Sequence, residues 1–372
     1  MSSLTTTGAR WAVPSGSVPG TIGTHKGGPL RGAGPLILGK KEMKKSYDIV
    51  CIGMAIMDSI IRGFEPEPVL SGFRAESGTL MAGGDAVNEA VAAAKLGLGT
   101  GILCSLGTDA AGDMIEAVLA AAGVGTDLIQ RPDEHPTPVT TIFVKEDGNR
   151  RSITNQAHSY NFHPEQYMDL FDARAVVLGS LFRAPFNDPD VIREVLTVAK
   201  LRGMLVFADT KLPNFRRLSL DDIENLLPMI DFITPNLDEA EHYTDKSRVQ
   251  DMADVFLEKG VKNVIIKMGA DGCYFKGRGT APAGNMDEDS ASTGSGTMEF
   301  RIPAFTVDTV DATGAGDNFI AGFASEILRG SDIKKALQFA SACGAICTTA
   351  VGAGTALTGR SQVEEFLAER NL

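Results

Sequence analysis

Thr309–Ala324, TVDATGAGDNFIAGFA, holds the residues of this chain best suited to chemistry. Two acids, Asp311 and Asp317, stand six positions apart, and the small residues Gly314, Ala315 and Gly316 run up to the second. An apolar helical period begins at Asn318. Small residues ahead of a helix let backbone N–H groups close on an anion, and the helix N-terminus adds the positive end of its dipole. An acid placed in such an anion site repels the ligand unless it handles a proton. The pattern suits phosphoryl transfer with Asp317 as catalytic base. It equally suits a glycine-capped turn in which Asp317 is a helix N-cap.

Other candidates lie where apolar runs end. YDIVCIGMAIMDSII reads as a buried strand ending at Gly53, with Asp58 five residues beyond it. Loops after strands are where α/β folds place ligand groups, so Asp58 either accepts hydrogen bonds from a polyol or caps a turn. In AGGDAVNEAVAAAKLGLG, residues 82–99, Gly83-Gly84 offers a tight turn before an Ala-rich helix, and Asp85 and Asn88 can both face a ligand there. Asn236-Leu-Asp-Glu239 opens a further helix, where acids are also favoured by the dipole alone.

These residues need a scaffold, and the rest of the chain supplies an alternating one. Residues 175–182, 203–210, 231–236 and 263–272 are short, apolar, β-branched runs. Helical stretches separate them, among them Asp188–Arg202, Asp221–Met229 and Asp238–Lys246. Near-continuous apolar strands at this spacing imply a parallel sheet covered on both faces. FRIPAFTV returns to strand before the acid-glycine loop, and helices over Asp332–Thr349 and Gln362–Arg370 follow. Pro136–Asn155 differs, because two β-rich runs flank Glu146-Asp147-Gly148-Asn149 as in an antiparallel hairpin. With Val69–Met81 it forms a small sheet suited to cover a cleft or to pair two subunits. Arg150-Arg151 after that turn either reaches a phosphate or is solvated. Gly277–Met298 is a Gly/Ser/Thr/Asp-rich loop or insertion.

Residues 1–45 read as a disordered leader or extension, with seven Lys and Arg against the single acid Glu42. Within it, Gly34–Lys40 has the G-x-x-x-x-G-K spacing of a phosphate loop, but Lys41 replaces the required Ser or Thr and no strand precedes it. The chain of 372 residues carries a formal charge of −12, which argues against nucleic acid or an anionic membrane as the main partner. Five cysteines without framework spacing suggest reduced thiols in a cytoplasmic protein. Cys343 and Cys347 share a helix face but lack a second ligand pair, so packing outweighs metal binding.

Taken together, GGDAVNEAVAAAKLG, NLDE (236–239), KMGADG (267–272) and DATGAGDNFIAGFA resemble, in order, the signatures of the ribokinase-like, or PfkB, carbohydrate kinases. The resemblance covers about residues 46–360. It implies a doubly wound α/β sheet with helices on both faces and a small β-sheet lid, its strands at about 61–81 and 136–157, within one kinase domain over 46–372. It also implies transfer of the γ-phosphate of ATP to a primary hydroxyl of a neutral sugar such as fructose or ribose. Asp317 would be the base and Gly314, Ala315 and Gly316 the anion hole. Asn236 and Glu239, through water, would help hold Mg²⁺, with Lys267, Gly269 and Gly272 near the nucleotide. Asp58, Gly84 and Asn88 would hold sugar hydroxyls, and Asp85 would favour a neutral polyol over a phosphorylated one. Asp311 and Thr313 match positions that bind a monovalent cation such as K⁺ in many members, while Ala312 departs from the usual Thr or Ser. The family implies a homodimer joined through the lid. Kinases of 2-keto-3-deoxygluconate or nucleosides, and a sugar sensor without catalysis, share the same signatures. A dehydrogenase would need a G-x-G-x-x-G after the first strand, where Gly53 stands alone.

Overall fold

The structure is a computed structural model that describes residues 45–63, 74–132, 135–145, 150–155, 162–214, 216–278 and 297–371. The leader through residue 44, the hairpin turn at 146–149 and most of the loop between 277 and 298 lie outside the described residues.

The chain begins with β1 (Lys45–Ile52), then β2 (Ile56–Arg62) and β3 (Ser77–Gly83), followed by α1 (Asp85–Lys95), β4 (Thr100–Leu103) and α2 (Ala110–Ala121). The hairpin strands β5 (Val139–Val144) and β6 (Arg150–Thr154) come next, then β7 (Phe171–Leu181), α3 (Pro189–Leu201), β8 (Leu205–Thr210) and β9 (Phe232–Ile233). After α4 (Leu237–Thr244) and α5 (Val249–Glu258), β10 (Asn263–Lys267), β11 (Cys273–Gly277) and β12 (Met298–Ile302) complete the strands. Helices α6 (Ala315–Arg329), α7 (Ile333–Cys347) and α8 (Arg360–Ala368) close the chain.

Eight strands make one sheet in the order β12-β11-β10-β9-β8-β7-β1-β4. From β10 to β4 every pairing is parallel, and only the pairings of β11, with β10 and with the edge strand β12, are antiparallel. Ile49–Ile52, Ala175–Leu178 and Val264–Ile266 are all buried, because helices cover both faces. One core packs α1, α2, α6 and α7 against the sheet, and the other packs α3 and α5 against its opposite face. The five cysteines are buried, free thiols, four of them (Cys51, Cys104, Cys273 and Cys343) within the first core. Among the described residues, no helix is long and apolar enough to cross a membrane.

The second sheet has four strands in the order β3-β2-β5-β6. Its register aligns Met81, Asp58, Thr140 and Thr154 in one row, and Leu80, Ser59, Thr141 and Ile153 in the next. Successive rows point to opposite faces. Asp58 therefore lies inside a strand of this sheet rather than in a loop after β1. The run YDIVCIGMAIMDSII is two strands of two sheets, parted after Ile52 at Gly53. Periodicity cannot see that break, since both strands are apolar.

Two other expectations change for reasons of backbone chemistry. Asp221–Met229 forms two single 3₁₀ turns instead of a helix, with Pro228, which has no N–H to donate, inside the second. The run 231–236 yields only the two-residue β9, since Pro235 ends the ladder donors. Lys44–Leu372 forms one compact unit.

Candidate active site

The N-cap of α6 is Gly314, with φ 77°, and a Cβ there would stand 2.1 Å from Ala353 Cβ, so a glycine is needed on both counts. Asp317 lies in the first turn of α6, so it is not the capping residue. Gly316 and Asp317 fall where an α-helix leaves its N–H groups without an intrahelical carbonyl. Ala315 N–H is spent on closing the turn, donating to Ala312 O at 3.3 Å. The loop is braced from behind. Asp311 Oδ1 accepts from Thr313 N–H (3.1 Å) and Oγ1 (2.7 Å), and its Oδ2 accepts from Gly352 N–H at 3.2 Å. Asn318 Nδ2 donates to both Gly314 O and Ala353 O at 2.8 Å.

Asp317 is only 4% exposed, and Asn88 Nδ2 donates to its Oδ2 at 2.7 Å. The contact joins residues 229 positions apart in sequence. It depends on Gly84, the N-cap of α1, whose φ of 96° turns the chain into the helix; a Cβ there would meet Met54 O at 2.4 Å. Asp85, the first residue of α1, accepts from Ser180 Oγ and pairs with Lys211 Nζ at 3.4 Å. One turn further on, Glu89 is fully buried.

The third arm comes from strand ends. Asn236 and Glu239 form a complete capping box on α4: Asn236 Oδ1 accepts from Glu239 N–H, and Glu239 Oε2 accepts from Asn236 N–H, each at 2.9 Å. Glu239 also accepts from Asn236 Nδ2 at 2.9 Å and from Thr210 Oγ1 at 2.8 Å. Lys267 sits at 3.2 Å from where a Cβ of Gly316 would be, so it overhangs the glycine loop while pairing with Asp209 at 2.5 Å. Gly269 and Gly272 form the tight turn joining β10 to β11.

The electrostatics follow from burial and crowding of acids. Burial, then the neighbouring Asp85, pushes Asp317 up to about 7, although Lys211 and the Asn88 bond pull the other way. Burial, helped by Asp85, pushes Asp58 up to about 6. Glu239 is raised by burial against the pull of Lys267. Lys211 is held firmly protonated by Asp85. A carboxylate near 7 is matched to proton abstraction at neutral pH.

A cavity of about 220 Å³ separates this loop from the small sheet. Asp58, Arg62, Thr140 and Ser152 line it from the sheet, opposite Asp311 and Thr313. Arg62 reaches across to within 3.9 Å of Asp311 Oδ2. The outer face of the same sheet leaves Leu80 55% and Ile153 68% exposed. Arg151 lies on that outer face too, in register with Phe143, and so points away from the cavity.

The fold thus brings Asp58, Asp311 and Thr313 to one cavity, and joins Asp317 of the helix that follows to Asn88 of α1, the helix that Gly84 and Asp85 open. Asn236, Glu239 and Lys267 join them through Thr210 and Asp209. Asp209, Lys211, Ser180, Glu89 and Arg62 escaped the sequence reading. Three carried a signal: Asp209 and Lys211 are charges ending a buried apolar strand, and Glu89 sits four residues after Asp85 on one face of an Ala-rich helix. Ser180 and Arg62 carried none.

Comparison with known proteins places this geometry. Residues 46–359 match the pfkB family of carbohydrate kinases. The ribokinase of Haemophilus influenzae is 27% identical over 290 residues, covering 77% of this chain and 87% of that protein. The 2-dehydro-3-deoxygluconokinase of Bacillus subtilis is 29% identical over 294 residues, covering 75% and 84%. The structure of Arabidopsis thaliana ribokinase complexed with ribose and ATP superposes with a TM-score of 0.70 at 22% identity, covering 87% of this chain and 99% of that one. The chain belongs to the pfkB family of carbohydrate kinases, phosphotransferases built on the ribokinase fold.

Proposed function

We propose that this protein transfers the γ-phosphate of ATP to a primary hydroxyl of a neutral, fructose- or ribose-like sugar, with Asp317 as the base. One observation carries the reading. The buried Asp317, pushed up to about 7, is held by Asn88 in the first turn of a glycine-capped helix, and Asp311 and Thr313 of the loop leading into that helix line a cavity roofed by the small sheet.

The sugar lies in the cavity, with Asp58, Asn88 and the Asp85–Lys211 pair receiving its hydroxyls. A carboxylate and an ammonium already neutralising each other suit a neutral polyol. Asp317 removes the proton of the attacking hydroxyl. The first-turn amides of Gly316 and Asp317, with Gly314 shaping the turn, receive the charge spread over the phosphoryl oxygens. Gly269 and Gly272 let the backbone pass near the nucleotide, and Lys267 faces its phosphates. The small sheet acts as a lid on the domain spanning 46–372, excluding water that would compete for the phosphoryl group.

The residues present fit Mg²⁺ in a water-mediated way. Three donors occupy the Glu239 carboxylate, which leaves it one acceptor position for a metal-bound water. Mg²⁺ bound with ATP neutralises phosphate charge. Asp311 and Thr313 remain the monovalent-cation position, with Arg62 as a competitor for the same carboxylate. The apolar outer face of the lid supports a homodimer.

A second reading is favoured by Lys211, a cation able to pair with the carboxylate of a 2-keto-3-deoxy sugar acid. An ATP-consumption screen over neutral sugars, keto-deoxy acids and nucleosides, with and without K⁺, separates the readings. Turnover confined to the acids would displace the neutral-sugar reading. Near-normal turnover by Asp317→Asn on the best substrate would sink the base assignment.

A further inference from the structure

Glu89 is a buried acid to which the proposed mechanism gives no task. It follows Asn88 on α1, is 0% exposed, and neither of its carboxylate oxygens has a hydrogen-bond partner among the described residues. It nevertheless faces the reaction centre. Single oxygens of Glu89, Asp209 and Asp317 all lie within 4.8 Å of one another.

The surroundings decide its charge. Asp317 on α6, Asp209 on β8 and Asp85 on its own helix all raise Glu89, on top of burial; only Lys267 on β10 opposes them. Lys267 is already committed to Asp209 at 2.5 Å. On the remaining sides are the buried Cys51 thiol of β1 and the backbone of Gly179 in β7. An ionised Glu89 would be a buried charge with two like neighbours and no cation of its own, which proteins avoid. A protonated Glu89 instead carries one O–H, and it faces carboxylate acceptors in Asp317 and Asp209, whose oxygens lie within 4.8 Å of its own.

We propose that Glu89 stands as a neutral carboxylic acid behind Asp317 and directs its O–H toward that carboxylate, a positioning residue that complements Asn88 from the other side. The functional part rests on Asp317 being the base. A donor aimed at the ionised form favours ionisation. Glu89 therefore keeps the base deprotonated at neutral pH despite the acids crowding it.

Two measurements on the full chain test this. Infrared difference spectroscopy of wild type against Glu89→Gln at pH 8 should show the carbonyl stretch of one protonated carboxyl, absent from the variant. Its absence from the wild type means an ionised or metal-bound Glu89 and overturns the proposal. This arm needs no turnover, so it stands even if Asp317→Asn proves active and the base reading fails.

The second arm is the pH profile of kcat/KM. Glu89→Gln keeps a donor without a charge and should leave the acid limb in place. Glu89→Met keeps the volume and removes the donor, so the limb should move up by about one to two pH units. A limb that moves down in Glu89→Gln would reveal an ionised glutamate. A limb unmoved in Glu89→Met would reduce the residue to filling space. If circular dichroism shows Glu89→Met unfolded, the Glu89→Gln limb and the infrared band decide together.

Discussion

As the proposed base, Asp317 combines two properties that oppose each other, being buried and needing to ionise. Its displacement from 3.8 to about 7 places the acid limb of kcat/KM near neutrality, measurable by steady-state kinetics from pH 5.5 to 9. Removal of the carboxylate as Asp317→Asn should lower kcat about 10²–10⁴-fold, the range of general-base contributions. Stability should move the other way. A folded-state carboxylate raised above its unfolded value favours folding at low pH, and that advantage is lost as pH rises from about 3.8 through about 7. Asp317→Asn should therefore raise Tm relative to wild type more at pH 8 than at pH 4, by a few degrees in differential scanning calorimetry. Asp317, Asn88 and Asp85 were legible in the sequence because each sits in a short run where glycines and a helix start announce a turn. Asp209, Lys211 and Ser180 end strands, and only the order of strands in the sheet brings them to those turns.

The helices and strands divide along the same line. Helix starts were readable near Asp188, Asn236 and Asp332, whose side chains each accept a first-turn amide, but the equally acidic start at Asp221 gave only 3₁₀ turns. The parallel sheet was readable from runs that are apolar on both faces. What escaped was the division of one apolar run into β1 and β2, and the antiparallel edge of β11 and β12, where tertiary pairing decides. At Asn236 the cap and the site are one structure. Asn236→Ala should destabilise the fold by about 1 kcal/mol in urea titration, the usual loss for such a cap. It should also raise KM for Mg·ATP, because Glu239 loses the Asn236 Nδ2 donor, one of its three. A variant with the stability loss but an unchanged KM would confine Asn236 to capping.

The molecule as a whole is a large two-faced sheet with a smaller sheet standing over one end of its strands. The small sheet has chemically opposite faces: Asp58, Arg62 and Thr140 toward the cavity, Leu80 and Ile153 toward solvent. If the outer face pairs two copies, Leu80→Asp with Ile153→Asp should shift sedimentation from dimer to monomer, and an unchanged dimer would place the interface elsewhere. Arg62 is the one charged bridge described between the cavity face and the glycine loop. Arg62→Gln should raise KM for the sugar several-fold, with a smaller change in kcat, since it touches the loop's support and not the base.

The junction at Gly83-Gly84 has a last consequence. The edge strand β3 of the small sheet runs without a linker into the helix that carries Asn88, so the roof of the cavity and the residue gripping Asp317 are parts of one lever. If the small sheet closes as the proposed lid, a sugar that seats it also sets the proposed base, and an empty cavity leaves that base slack. Such a machine should be frugal, spilling very little ATP to water until a sugar arrives.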